Sequence, residues 1–375
     1  MDNAAAEIVE YLRGNCKGGD MGGVALTQFH FVVDEDGDAV PFFGKNGRLG
    51  LSDIMDKLAE FWPQVVRNND GQVIAAGRQL SAVSLDHGGQ LVVSIASCLT
   101  LAQIEEEYRN FLFRVEQILK PVDYKLVACG FHPSAALSEL EPVPFEPYAK
   151  MQQRMGDDAL PLLLGAARCR VAFSYADEAD AVRKLRIAAL LGPVFAYMTS
   201  NCTVFDKEGN ADAMLGLKLA RKAAPGVAGV PEGLFNQDFG FEAYAQWLLE
   251  HNLADEDGSQ VREMIVDADL ATGVELTQAD ALPLAPMMGY LALLKGLFYS
   301  PVNLELLEMM LGCKTQPYTA ADVDAAIERV STQGGAAKLW GKTCDEWIDL
   351  LMHMSAQSLG TESSYLEALQ DYQAF

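Results

Sequence analysis

Strand-like runs and helix-like spacings alternate through the first 276 residues of this chain. From Ala281 onward the spacing is almost entirely helical, an order that restricts the fold to a mixed α+β body with a helical C-terminal third. Val24 to Val33 is rich in β-branched and aromatic residues. The acidic, Gly-containing run Asp34 to Asp38 and then Ala39 to Phe43 follow it, which predicts a hairpin. Ile54, Leu58, Phe61, Trp62 and Val65 recur at helical spacing behind Ser52, an N-cap candidate. Strand candidates follow at Gln72 to Ala76, Leu80 to Leu85 and Gln90 to Ala96. Thr100 then opens a helix that buries Ile104, Tyr108, Phe111, Leu112, Val115 and Leu119. Further strands are predicted at Tyr124 to Gly130, Arg168 to Tyr175 and Ala268 to Leu276, and an apolar helix from Asp177 towards Thr199. The Gly/Pro-punctuated, basic stretch Ala211 to Glu232 reads as a loop or lid of the kind found at active sites.

Charge limits the partners. With 28 Lys+Arg against 52 Asp+Glu the formal charge is −24, which repels nucleic-acid backbones and anionic lipid surfaces. Half the residues are hydrophobic and 21% are charged, the balance of a chain with a large core. No apolar stretch reads as a membrane span: Ile187 to Phe205 is broken by Gly192-Pro193, and Ala281 to Leu294 contains Pro283 and Pro286. The acidic residues near the start have the wrong order for a signal peptide. Seven scattered cysteines without a CxxC pair suit a reducing cytoplasm.

Four short patterns carry chemistry: Gly23-Val24-Ala25-Leu26-Thr27-Gln28-Phe29, then Asp86-His87-Gly88-Gly89-Gln90-Leu91-Val92-Val93-Ser94, then Gly130 to Pro133 leading to Pro144-Phe145-Glu146-Pro147-Tyr148, and Gly273-Val274-Glu275-Leu276-Thr277-Gln278-Ala279-Asp280. In this order and at these separations the set resembles the glutamate-cysteine ligase family of the plant and proteobacterial type. The resemblance runs from about Gly23 to Leu311 and includes Gly192-Pro193, Asn201 and the run Asp177 to Lys184. It implies a curved, largely antiparallel sheet with helices on its outer face and the site on the concave side. The expected division is a ligase-like domain over 1–311 and a packed helical extension over 312–375. It also implies ATP and Mg²⁺ as cofactors, phosphorylation of the glutamate side-chain carboxylate, and attack by the amine of cysteine.

That chemistry crowds negative charge, and Mg²⁺ offsets it through oxygen ligands at roughly 2.1 Å. The resembling family supplies such oxygens as G-x-E-x-E-x-F on the first strand, where alternation puts both carboxylates on one face. Another follows as G-G-Q-x-E-x-S, and a further one sits in a late E-x-R. At those positions this chain has Ala25, Thr27 and Val92. Glu275 survives as the metal-type carboxylate, but Thr277 stands where the arginine would be. The remaining family-equivalent candidates for substrate or nucleotide are Asp86, Gly88, Gly89, Gln90, Tyr148, Asn201 and Asp280. On the middle strand the polar face reads Arg170, Ala172 and Ser174.

Each survivor has a packing alternative. Gly88-Gly89 suits a tight turn, Asn201 a helix C-cap, Asp280 an N-cap, and Glu275 a partnered strand carboxylate. His87 and His132 read as packed histidines rather than metal ligands. Three functions follow. The first is a catalytically impaired or repurposed ligase relative that binds glutamate or a related amino acid. The second is a divergent ligase with metal on Asp86, Glu275 and Asp280. The third is a regulatory partner of an intact ligase encoded elsewhere, with Leu339, Trp340, Trp347, Leu350, Leu351 and Met354 available for an interface; a homo-oligomer is also open.

Overall fold

A computed structural model describes residues 3–18, 22–133, 137–202, 213–253, 267–270 and 272–372. Nine strands form one sheet: β1 (Val24–Val33), β2 (Gln64–Arg67), β3 (Val73–Gly77), β4 (Ser81–Leu85), β5 (Leu91–Cys98), β6 (Lys125–Val127), β7 (Arg168–Phe173), β8 (Ala268–Leu270) and β9 (Val274–Asp280). Their order is β2-β3-β4-β5-β1-β7-β9-β8, with β6 also on β1, and every pairing is antiparallel.

The helices are α1 (Asn3–Gly14), α2 (Leu51–Leu58), α3 (Leu101–Leu119), α4 (Glu146–Met155), α5 (Glu178–Met198), α6 (Leu215–Ala223), α7 (Phe241–Glu250), α8 (Leu284–Phe298), α9 (Pro301–Leu311), α10 (Ala320–Gln333), α11 (Cys344–Ser358) and α12 (Leu366–Gln370). Period-2 alternation on β1 sends Val24, Leu26, Gln28 and His30 to the face covered by α3, α5 and α8. There His30 Nε2 meets the Tyr108 hydroxyl of α3 at 2.7 Å. Ala25, Thr27, Phe29 and Phe31 point the other way, and this opposite face is the one the sequence marks for chemistry.

Local chemistry sets the helix ends. Thr100 caps α3 in a reciprocal box with Gln103, and Asp177 Oδ1 accepts from Asp180 N at 2.9 Å to start α5. α5 buries almost its whole circumference, which is why it lacks a polar stripe. One apolar core runs from Ala5 to Leu369, and α11 and α12 both pack on α8.

Several expectations are corrected. α2 ends at Leu58, and Val65 lies on the exposed edge strand β2; Gly50, not Ser52, is the N-cap. The arm after Asp38 shrinks to a single bridge, Val33 to Ala39, because Asp34 Oδ1 accepts from the amides of Asp36 and Asp38 and tightens the turn. The segment 268–276 is two strands, β8 and β9. Within the expected lid, α6 forms and buries Leu217, Ala220 and Ala223; residues 211 and 212 lie outside the described residues. The proposed interface is internal: Leu339, Trp347, Leu351 and Met354 are buried, and the Trp340 and Trp347 indoles donate to Leu190 O and Leu339 O. Among the described residues no helix is long and apolar enough to cross a membrane.

Candidate functional site

Strand register assembles the opposite face into two rows. Ala25, Ala172, Glu275 and Asp269 lie side by side across β1, β7, β9 and β8. Ser94, Thr27 and Arg170 form the next row, where Thr27 Oγ1 lies 3.2 Å from Ser94 Oγ. Arg170 joins the rows. Its guanidinium lies 4.8 Å from the centre of the Phe29 ring, and Nη1 is 3.8 Å from Glu275 Oε1. Val92 sits beside Phe29 in a small apolar cluster with Phe31, Cys129, Ala167 and Ala281. The positions expected to carry glutamates in relatives therefore surround a cation.

Asp280 belongs to a second, deeper cluster. The β7–β9 register slips between Val171 and Cys169, so Asp280 turns back to the Glu275 side although it lies an odd number of positions, five, further along the strand. Gly130, lacking a side chain, leaves room for its carboxylate, and Oδ2 accepts from Asn201 N at 2.8 Å. Burial pushes this carboxyl up to about 6, against the opposing pull of the Asn201 amide and Arg168. Arg168 donates to Thr277 O and Gly216 O, and burial draws it down to about 10 despite Asp267 and Asp280. Burial thus outweighs attraction for both partners. Asp280 is no N-cap: α8 starts at Leu284 behind Pro283. Asn201 is no C-cap either, because α5 closes at Thr199; its side chain donates to Ala128 O and Ala281 O and ties three segments together.

The Gly88-Gly89 turn is structural in detail. A Cβ on Gly88 would meet Leu164 O at 2.3 Å, and Gly89 has φ +80°. Gln90 locks the turn: Oε1 accepts from Gly88 N, while Nε2 donates to Leu164 O at 3.1 Å and Ala166 O at 2.9 Å. Asp86 opens the turn through its backbone, pairing with Gln90 and Gly89. Tyr148 donates to Leu85 O at 2.6 Å and packs its ring 4.8 Å from His87, a buried imidazole pushed down to about 4 by desolvation. His132 is buried likewise, edge-on to Phe31.

Arg168 and Arg221 were not marked by spacing. Arg221 donates to Asp267 and Asp324 and so latches α6 to β8 and α10; burial lowers its pKa, but the two carboxylates outweigh that and raise it. The available signal was Arg168-x-Arg170 on one strand, two cations on one face.

A family model described as glutamate-cysteine ligase family 2 matches residues 62–325. The chain belongs to that family. Glutamate-cysteine ligase A, chloroplastic, of Oryza sativa subsp. japonica is 28% identical over 207 residues, 53% of this chain and 41% of the relative. The chloroplastic enzyme of Medicago truncatula is 23% identical over 249 residues, 65% and 48% of the two chains. The chain thus spans less than half the length of these curated relatives. The bifunctional glutathione synthetase of Pasteurella multocida superposes with a TM-score of 0.53 at 10% identity, covering 99% of this chain and 48% of that one. The α+β fold with its largely antiparallel sheet is therefore the ligase fold. The matched span starts at Trp62, so β1 with Ala25 and Thr27 lies outside it.

The described acidic residues of this face are dispersed rather than clustered. Among the described residues no three His, Cys, Asp or Glu side chains converge as a metal site, so Asp86, Glu275 and Asp280 do not form the shifted ligand set. Glu275 faces Arg170 instead.

Proposed function

We propose that this chain is a glutamate-cysteine ligase relative with impaired ligase chemistry, whose β1–β7–β9 face binds glutamate or a related small amino acid. The observation that carries this reading is the Arg170–Glu275 pair, 3.8 Å apart, set among Ala25, Thr27 and Ala172. A cation and an anion at that spacing on a floor of small side chains match the carboxylate and ammonium of an amino acid. The same floor lacks the acidic cluster that would hold Mg²⁺ and, through it, ATP. Removing one electrostatic group from a transition state costs a factor of about 100 to 1000. Losses within one unit do not multiply, yet three missing carboxylates leave little of the ligase rate.

In this reading 1–311 is the ligase-like body and 312–375 its helical extension. All seven cysteines are free, six of them buried, which suits a reducing compartment such as the cytoplasm. The test is thermal unfolding with Mg·ATP, glutamate and cysteine added singly and together. A stabilising shift with glutamate and none with Mg·ATP is expected. Formation of γ-glutamylcysteine at an ordinary enzymic rate overturns the reading.

A further inference from the structure

We infer that Arg170 is a built-in cation that takes the place of the divalent metal on this face, and that its presence actively excludes a metal from Glu275. The inference rests on the reading above that the face has lost its metal. Three features of the structure support it. The guanidinium is nearly enclosed, with 8% of the side chain exposed, and lies over the Phe29 ring, a setting that suits a flat, weakly hydrated cation. It reaches Glu275 diagonally across the β7–β9 pairing, while Asp269 stands directly opposite Glu275 on β8. On the Glu275 side its neighbours Ala25, Thr27 and Ala172 carry no charge, while Arg168, its other neighbour along β7, is turned to the Thr277 and Gly216 carbonyls.

Two carboxylates on neighbouring strands, Glu275 and Asp269, beside the small residues Ala172 and Ala25 are the beginnings of a cation site. A divalent ion approaching Glu275 meets a fixed positive charge about as close as the carboxylate itself. One such charge about 4 Å from a divalent ion weakens binding about 30-fold even at the dielectric of water. The consequence is specific: the site is blocked by Arg170 as well as deprived of glutamates, so removing the guanidinium alone opens it.

The probe is Mn²⁺, followed by loss of the free-ion electron paramagnetic resonance signal and by thermal unfolding. The full chain is compared as wild type, Arg170→Lys, Arg170→Gln, Arg170→Glu and the double variant Arg170→Gln with Glu275→Gln. Wild type and Arg170→Lys are expected to show only weak binding to the acidic surface. Arg170→Gln gains one ion about 30-fold tighter, Arg170→Glu binds at least as well, and Mn²⁺ raises the melting temperature of both. The double variant loses the gain, which locates it. Far-UV circular dichroism identifies folded variants, and Arg170→Gln, similar in length and polar, carries the test if Arg170→Glu does not fold. If folded Arg170→Gln gains nothing while wild type also binds nothing, the role of Arg170 is wrong and the loss of the metal site stands. If wild type binds one Mn²⁺ tightly and a further single variant, Glu275→Gln, removes it, both are wrong.

Discussion

Asp280 offers the sharpest quantitative test, through Asp280→Asn. Its carboxyl is buried, takes one hydrogen bond from Asn201 N at 2.8 Å, and titrates near 6 instead of 3.8. The native state therefore binds this proton more tightly than the unfolded chain, so stability falls as pH rises from about 4 to 6 and stays low above that. At about 1.4 kcal/mol per pH unit the ionised carboxylate costs about 3 kcal/mol at pH 8. At pH 4.5 only about 1 kcal/mol of that cost is present. Asparagine keeps an acceptor for the Asn201 amide without the charge. Urea unfolding of both proteins, followed by tryptophan fluorescence, gives the stability difference at each pH, and any fixed packing offset cancels between the two. The variant should gain about 2 kcal/mol relative to wild type between pH 4.5 and 8. A difference that does not change with pH, or changes in the opposite direction, refutes the burial argument and makes Arg168 the controlling neighbour.

Two further outcomes follow from the same kind of reasoning. His30, His87 and His132 are each held down to about 4 by burial, so the unfolded chain takes up these protons first and stability falls as pH drops from 6.5 towards 4, by up to about 3 kcal/mol apiece. Imidazole resonances of the folded protein should stay neutral down to pH 5, and any of the three titrating near 6.5 contradicts this. Gln90→Leu should destabilise by about 2–4 kcal/mol, because buried carbonyls of Leu164 and Ala166 lose their donor. A variant that keeps its stability but loses the glutamate-induced thermal shift would make Gln90 a ligand contact instead of a bracket.

Where packing obeys a simple period, the sequence was legible. The α3 stripe of Ile104, Tyr108, Phe111, Val115 and Leu119 is buried as spaced, with Leu112 only half-buried at its margin, and Thr100 and Asp177 cap the helices they precede. Long helices and central strands repeat one rule often enough to be read. Short connections do not, which is why β2 was hidden behind the helical spacing of Phe61, Trp62 and Val65. The stretch from Ala211 to Glu232 reads as a lid because it is basic and Gly/Pro-punctuated, yet the charge of its Arg221 is satisfied by Asp267 and Asp324, far apart in sequence.

Of the candidate site, the faces taken by the strand residues were legible, and the deeper cluster was not. Counting positions located Ala25, Thr27 and Val92, since strand alternation fixes which face they take. It could not locate Asp280, because one slipped residue between Cys169 and Val171 reverses the alternation after Thr277. The slip also divides the polar residues into two sites with different physics. Glu275 remains about a quarter exposed, with Arg170 3.8 Å away. Asp280 Oδ2 and the two terminal nitrogens of Arg168, enclosed by Gly130, Asn201 and Gly216, are tied to backbone groups. A change at Asp280 or Arg168 should therefore register first in stability, and a change at Arg170 or Glu275 first in what the face binds.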